Sequence, residues 1–403
     1  MRTAASALLL LAVLVASSCG SSHRSDTRRA TVPTRTETVE TTPTGAKYSH
    51  LAFVSARSGE VLRVSDLEVG AAASDGNDGW YVSGGFGLAH MLPDGKLDSS
   101  WGTTDSRKIK TCGPLIKSGS RLYLARWRDI PASTAGTAPQ NSTTNDENGV
   151  CVLGALDAAT GKPIWIGKQP FSKNRVFELV ASSTRLYAVG MFSSVGKAKR
   201  QGLAAFDAAT GELLDWRAPS LRTDSSGESE PFVTALALTG SRLYVGGSFS
   251  SIDGKRRTGL AALDPSTGAL LPWKPPVITT YAGIPYQIVV AGDQFIVVGE
   301  DGFAAVSLSS GREQAWRSAF SGTATRLTLD GSILYLGGNI EHGFGTVGNK
   351  DRDARYNLAA LDLESGRFTS WAPRIDFKFV DVGQIVPSGE QVLVVGAYTN
   401  YVG

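Results

Sequence analysis

A phrase built of a short apolar run, a tight turn and, in most copies, a closing Trp occurs seven times along this chain of 403 residues, and it constrains the fold more than any other feature. The copies are LAFVSARSGEVL (51–62), LAHMLPDGKLDSSW (88–101), LGALDAATGKPIW (153–165), LAAFDAATGELLDW (203–216), LAALDPSTGALLPW (260–273), FAAVSLSSGREQAW (303–316) and LAALDLESGRFTSW (358–371). Their turn glycines are Gly59, Gly95, Gly161, Gly211, Gly268, Gly311 and Gly366. A second phrase recurs as often: WYVSGGF at Trp80, LYLARW at Leu122, LYAVGMF at Leu186, LYVGGSF at Leu243, FIVVGED at Phe295, LYLGGN at Leu334 and VLVVGAY at Val392. Self-similarity at such a period marks a repeat architecture, in which one unit cannot bury its apolar faces until a neighbour covers them.

Each unit reads as four short strands: a variable apolar strand such as VTALAL, a turn such as TGSR, the LYVGG strand, a longer loop, the LAALD strand, the Asp-to-Gly turn and a strand ending in Trp. The turn has a mechanism. Asp264 can accept the backbone N–H groups that follow it, and Gly268 supplies the positive φ that closes the hairpin. Trp101, Trp165, Trp216, Trp273, Trp316 and Trp371 offer large apolar faces to neighbouring units. Four-stranded units in tandem predict an all-β fold, a seven-bladed β-propeller of four-stranded antiparallel blades. After Gly366 the chain supplies only two further strands, and residues 51–62 supply the two that are missing. Pairing of N- and C-terminal strands therefore closes the ring, with 51–62 beside 391–398, and leaves no open sheet edge between the ends. The propeller spans residues 47–403.

The first residues read differently. Met1-Arg2 gives a positive start and residues 4–16 an apolar run of roughly 13, too short for the ~20 that a membrane-spanning helix needs, so 1–18 is expected to be a signal peptide. Ala16-Ser17-Ser18-Cys19 resembles the lipobox of bacterial lipoproteins, which implies that Cys19 becomes the lipid anchor. Residues 19–46, rich in Ser, Thr, Arg and Glu, then form a lipid-anchored flexible linker. This organisation implies an extracytoplasmic protein held at the bacterial membrane by its N-terminal lipid alone. Cys112 and Cys151 remain as an even pair in an oxidising compartment and are expected to form a disulfide at the base of the polar insertion 129–149.

LAHMLPDGKLDSSWG resembles the delta-60 repeat, and residues 243–273 are similar to the propeller units of secreted bacterial proteins related to it. The Ala155, Asp157, Thr160, Gly161, Trp165 spacing also resembles the repeat of PQQ-like (quinoprotein) propellers. The resemblance runs from about residue 48 to the end. It implies architecture and little about activity, because turns and docking tryptophans serve enzymes and inert scaffolds alike.

A quinoprotein-like, PQQ-dependent oxidoreductase is one alternative function. Such enzymes hold calcium with carboxylate and amide ligands and often place a vicinal Cys pair over the quinone, whereas Cys112 and Cys151 lie far apart in sequence. A carbohydrate-active enzyme is the other alternative, but the Asp-to-Gly spacing of the repeat differs from that of sialidase boxes. Only four His residues are present, with no metal-ligand spacing. Residues 75–79 (DGNDG) depart from the spacing of a calcium loop and read as a turn. No cofactor and no metal are expected.

Loop lengths point to a working surface. In a four-strand meander the first and third turns share one face and are minimal here, whereas the loops after LYVGG and after Trp share the other and are long: 129–149, 217–230, 274–284 and 341–355. That face carries cations at equivalent positions of three units: Lys197, Lys199 and Arg200; Lys255, Arg256 and Arg257; Lys350, Arg352 and Arg355. They fit two roles, arginines capping the loops or a receptor for an anionic polysaccharide or acidic protein segment. A formal net charge of +3 gives no reason to expect nucleic acid. Nearby aromatics, Trp127, Phe192, Phe249, Tyr281, Tyr286, Phe344 and Tyr356, could stack on the same partner. The expected function is a non-catalytic binding or scaffolding module, monomeric, acting through its long-loop face.

Overall fold

The fold is taken from a computed structural model that describes residues 49–129, 149–217, 219–224, 230–257, 259–273, 284–299, 302–310, 312, 322–340, 357–373, 375–376, 382–398 and 400–401. The expected signal peptide and linker, Cys19, Lys350, Arg352 and Arg355 lie outside them, as do Gly311, Trp316, Tyr281, Phe344 and Tyr356. The described residues form ten antiparallel sheets, seven larger ones and three ribbons of two-residue strands, with no α-helix among them.

The seven larger sheets follow the repeat. The first holds Val69–Ser74, Trp80–Gly84 and Gly87–Met91; the second Thr111–Ser118, Arg121–Asp129, Gly149–Asp157 and Pro163–Ile166. The third holds Val176–Ala181, Arg185–Gly190 and Leu203–Asp207; the fourth Phe232–Leu238, Leu243–Ser248 and Leu260–Leu263; the fifth Pro285–Ala291, Gln294–Gly299 and Gly302–Ser307. The sixth comprises Gly322–Asp330, Ile333–Ile340, Leu358–Asp362 and Arg367–Phe368. The seventh joins Val382–Ser388 and Gln391–Tyr398 to Ser49–Ser55 and Val61–Ser65, so strands from both ends of the chain share one sheet. Ala52 lies opposite Val394, and Ser55 opposite Gln391.

Not every unit completes four strands. In the first, third and fourth sheets the last strand is reduced to an isolated bridge, Met91–Leu97, Phe206–Leu213 and Leu263–Leu270. The docking tryptophans reach from one unit to the next, whether or not the unit's last strand is complete. Trp101 Nε1 donates to the Ala158 carbonyl (2.8 Å), Trp165 to Ala208 (3.2 Å), Trp216 to Pro265 (3.1 Å) and Trp371 to Ser55 (3.0 Å), in each case the turn of the following unit. Each Trp thus ties the end of its unit to the neighbour.

The turn chemistry holds as expected. Asp264 Oδ1 accepts from the N–H groups of Ser266 (2.9 Å) and Thr267 (2.7 Å) and from the Thr267 hydroxyl (2.9 Å), and Asp157, Asp207 and Asp362 hold their turns likewise. Gly268 has φ +77°, and a Cβ there would stand 2.0 Å from the Arg217 carbonyl oxygen. The glycine therefore serves twice, closing its own hairpin and letting the preceding Trp approach.

The core divides into seven apolar clusters, each shared by two successive sheets. Tyr81 and Leu88 of the first meet Leu122 and Leu156 of the second. Leu153 and Val176 join the second and third, Val189 and Val233 the third and fourth, Tyr244 and Phe295 the fourth and fifth, and Val298 and Leu336 the fifth and sixth. Tyr335 and Val392 join the sixth and seventh, and Leu393 with Trp80 returns from the seventh to the first. Burying the side chains on both faces of each sheet in this way is the main stabilising term.

Candidate binding face

First strands lie side by side from sheet to sheet, and all carry an irregularity in register near the same point, a β-bulge between Val176 and Glu178 in the third sheet and between Pro285 and Gln287 in the fifth. The residues after these bulges reach across to the next sheet. Glu178 Oε2 accepts the Leu236 N–H (2.6 Å), Gln287 Oε1 that of Leu327 (2.7 Å) and Gln384 Oε1 that of Ala72 (2.6 Å). Arg326 at the same register donates through Nε to the Gly383 carbonyl. Burial raises the Glu178 carboxyl to about 8, opposed by the Leu236 N–H and by the charge of Arg326, which lies three sheets away in sequence. Among the bulge positions Ala71, Glu178, Ala235, Gln287, Arg326 and Gln384, Glu178 brings the one carboxylate.

The long loops meet one another. The connection Leu221–Arg222, after Trp216, pairs with Ser251–Ile252, which pairs with Lys255–Arg256 in the loop between the second and third strands of the fourth sheet. Ile375–Asp376, after Trp371, pairs with Asn400–Tyr401, and Phe171 bridges to Val195. The two classes of long loop therefore lie together, as the meander requires.

Two hairpins on this side carry six of the nine expected cations. In the first, Ser194–Val195 pairs with Ala198–Lys199. In the second the turn is Asp253-Gly254, with φ of 48° and 73°, the geometry a two-residue hairpin favours. Asp253 Oδ1 accepts the Ser220 N–H (3.0 Å), and its Oδ2 pairs with Arg217 (3.2 Å), fixing the hairpin to the preceding connection. The six cations divide between two surroundings. Arg200 turns back on the Lys199 and Leu214 carbonyls (2.9 and 3.1 Å), and buried Arg257 on that of Arg256 (2.8 Å). Lys197, Lys199, Lys255 and Arg256 are exposed and have no ion-pair partner among the described residues.

The structure adds Lys173, paired with Glu230 at 2.6 Å, together with Arg217 and exposed Arg222. These stand in connections of irregular length, where no repeat position marks them. Phe192 and Phe249 are buried and belong to the core, and Trp127 is partly buried against the Cys151 cluster. Cys112 and Cys151 are joined in a disulfide with Cα atoms 6.0 Å apart.

Residues 75–79 form a turn that spends its oxygens internally. Asp75 Oδ1 accepts from the N–H groups of Asn77 (2.6 Å) and Gly79 (3.0 Å), Asp75 Oδ2 meets His90 Nε2 (2.9 Å), and Asp78 takes the Glu390 N–H (2.7 Å). His90 also meets Asp98 through Nδ1 (3.2 Å), and the Ser100 hydroxyl with His90 holds the Asp98 carboxyl down to about 2. Among the described residues no three His, Cys, Asp or Glu side chains are grouped to hold a metal ion.

Antiparallel sheets in tandem, joined Trp to turn and core to core, define a protein of the β-propeller class. A family model described as outer membrane protein assembly factor BamB (PQQ_2) matches residues 47–372, and the chain belongs to that family. A search of the curated proteins finds no match. Similar solved structures include BamB from Moraxella catarrhalis, with 14% identity, 72% of this chain and 96% of that chain covered and a TM-score of 0.40. The computationally designed Ika8 protein has 13% identity, 85% and 87% coverage and a TM-score of 0.45. A chain of the mitotic checkpoint complex has 12% identity, 92% and 100% coverage and a TM-score of 0.46.

Proposed function

We propose that the chain is an extracytoplasmic lipoprotein, tethered through Cys19 and residues 19–46, whose seven-bladed closed propeller is a non-catalytic binding module for an acidic protein partner. Seven core clusters linking successive sheets, the last returning to the first, support the seven-bladed reading, and the shared sheet of Ser49–Ser55 and Gln391–Tyr398 supports closure. Membership of a family described as an assembly factor favours a protein partner over an anionic polysaccharide.

The observation that carries the binding role is the presentation of Lys197, Lys199, Lys255 and Arg256 on two adjacent-unit hairpins without acidic partners among the described residues. Uncompensated exposed cations on a rigid frame raise encounter rates with an acidic surface and make binding fall with salt. Lys350, Arg352 and Arg355 extend the same pattern to a third unit. Arg200 and Arg257 are assigned to bracing the hairpins.

Chemical crosslinking in native membranes, followed by capture of the chain, tests the reading. The variant with Lys197, Lys199, Lys255 and Arg256 all changed to Ser is expected to lose most of the captured partner, and its residual binding to lose its salt dependence. Capture unchanged in amount and in salt response overturns the role of the face. A polysaccharide recovered in place of a protein overturns the choice of partner. Mass analysis of the N-terminal peptide, with diacylglycerol expected on Cys19, tests the tether.

A further inference from the structure

The second sheet ends differently from its neighbours. Where the first, third and fourth sheets finish on a single bridge and the sixth on the two residues Arg367–Phe368, the second, like the seventh with Val61–Ser65, carries a full edge strand, Pro163–Ile166. Its order leaves that strand with Gly149–Asp157 on one side and no strand on the other among the described residues. Ile164 and Ile166 are 43% and 44% exposed, two of the four large apolar side chains exposed among the described residues. Trp165 between them turns the other way, packing on Tyr123 and donating to Ala208 of the third sheet.

The backbone register shows which polar groups are free to pair. The Gly167 N–H is taken by the Leu153 carbonyl (2.8 Å), and Trp165, two residues earlier, lies opposite Ala155. Alternation along a strand then turns the N–H and C=O of Ile166 away from the sheet. Arg128 donates to the Gly167 and Lys168 carbonyls (3.0 and 3.1 Å), closing the ladder just beyond Ile166. Exposed Lys162 and Lys168 bracket the strand.

We propose that Pro163–Ile166 is a docking edge to which an extended segment of a partner protein adds as a further strand, with apolar side chains against Ile164 and Ile166 and acidic residues at both ends. An unpaired edge supplies main-chain hydrogen bonds and alternate side chains supply selectivity. The lysines decide the occupant. A second copy of this chain places Lys162 and Lys168 against the same lysines in either strand direction, and like charges across a ladder are unfavourable. An acidic-ended segment pairs with both. The assignment does not depend on the cationic hairpins.

The test uses the full chain and heptapeptides alternating Val and Thr, with Glu at both ends or Lys at both ends, read by fluorescence anisotropy and by hydrogen exchange. The Glu-ended peptides are expected to bind about tenfold more tightly than the Lys-ended ones, two cross-strand charge pairs being reversed, and to slow exchange at Ile166. Lys162→Glu with Lys168→Glu is expected to invert that preference. Ile166→Pro removes the outward N–H while leaving the charges, and is expected to abolish binding without changing the near-UV circular dichroism. Equal binding of both peptide sets, no inversion in the charge-swapped variant, or unchanged exchange at Ile166 overturns the proposal. So does sedimentation showing that the wild-type chain self-associates through this strand and the Ile166→Pro variant does not.

Discussion

The residue that most separates this molecule from its own repeat is Glu178. Gln287 and Gln384 accept a neighbouring N–H from the same register with a neutral amide, whereas Glu178 does so with a carboxyl that burial raises to about 8. The folded chain therefore holds a proton there that the unfolded chain releases near its ordinary pKa. Its folded pKa lies above its unfolded one, so stability is unaffected below about pH 4 and declines as pH rises toward 8, levelling off above it. Glu178→Gln preserves the acceptor and removes the titration. Thermal denaturation is expected to show the variant more stable by about 1–3 kcal/mol at pH 9, a range reduced because the side chain keeps some solvent access, and equal to the parent at pH 4. Equal pH profiles would count against the raised pKa. Asp264, Gly268 and Trp216 were legible in the sequence because each fills a recurring position with a side chain whose chemistry names its role. Glu178 was not, since one Glu inside VFELVA gives no sign of the N–H it meets in another unit.

At the scale of elements, the disulfide shows what a pair of cysteines can tie. Cys112 lies in the first strand of the second sheet, where its register is irregular, and Cys151 in the third, so the bond ties two strands that are not ladder neighbours. Closing a loop with a sequence separation of 39 removes unfolded-state entropy worth about 4 kcal/mol in the chain-entropy model. Replacing both cysteines by Ala is expected to lower stability by about 3–5 kcal/mol in urea titration, including the packing lost at fully buried Cys151. A loss under about 1 kcal/mol would mean that the strand order holds the loop unaided. The strands themselves were legible from alternating apolar runs between turn signals. The ribbons linking Leu221–Arg222 to Ser251–Ile252 and Ile375–Asp376 to Asn400–Tyr401 were not, because two-residue strands carry no periodicity. The shortened last strands also escaped the sequence, since the second and sixth units keep a fourth strand and carry the same closing Trp.

For the molecule as a whole, the consequential feature is the seventh sheet. Deleting residues 391–403 removes the strand between Ser49–Ser55 and Val382–Ser388 and so splits the seventh sheet, opening an edge on each half. Loss of the cooperative near-UV transition is expected, where an open tandem array would retain most of its units. Retention of that transition would argue against a closed assembly. The all-β tandem of small antiparallel sheets could be read from the chain because each unit restates the same chemistry. The partner could not, because exposed lysines and isoleucines do not by themselves name what they would meet. The opening strand pairs at once with Val61–Ser65, but its other edge waits for Gln391–Tyr398, so a molecule made from its N-terminus carries that hairpin edge unpaired for most of the way.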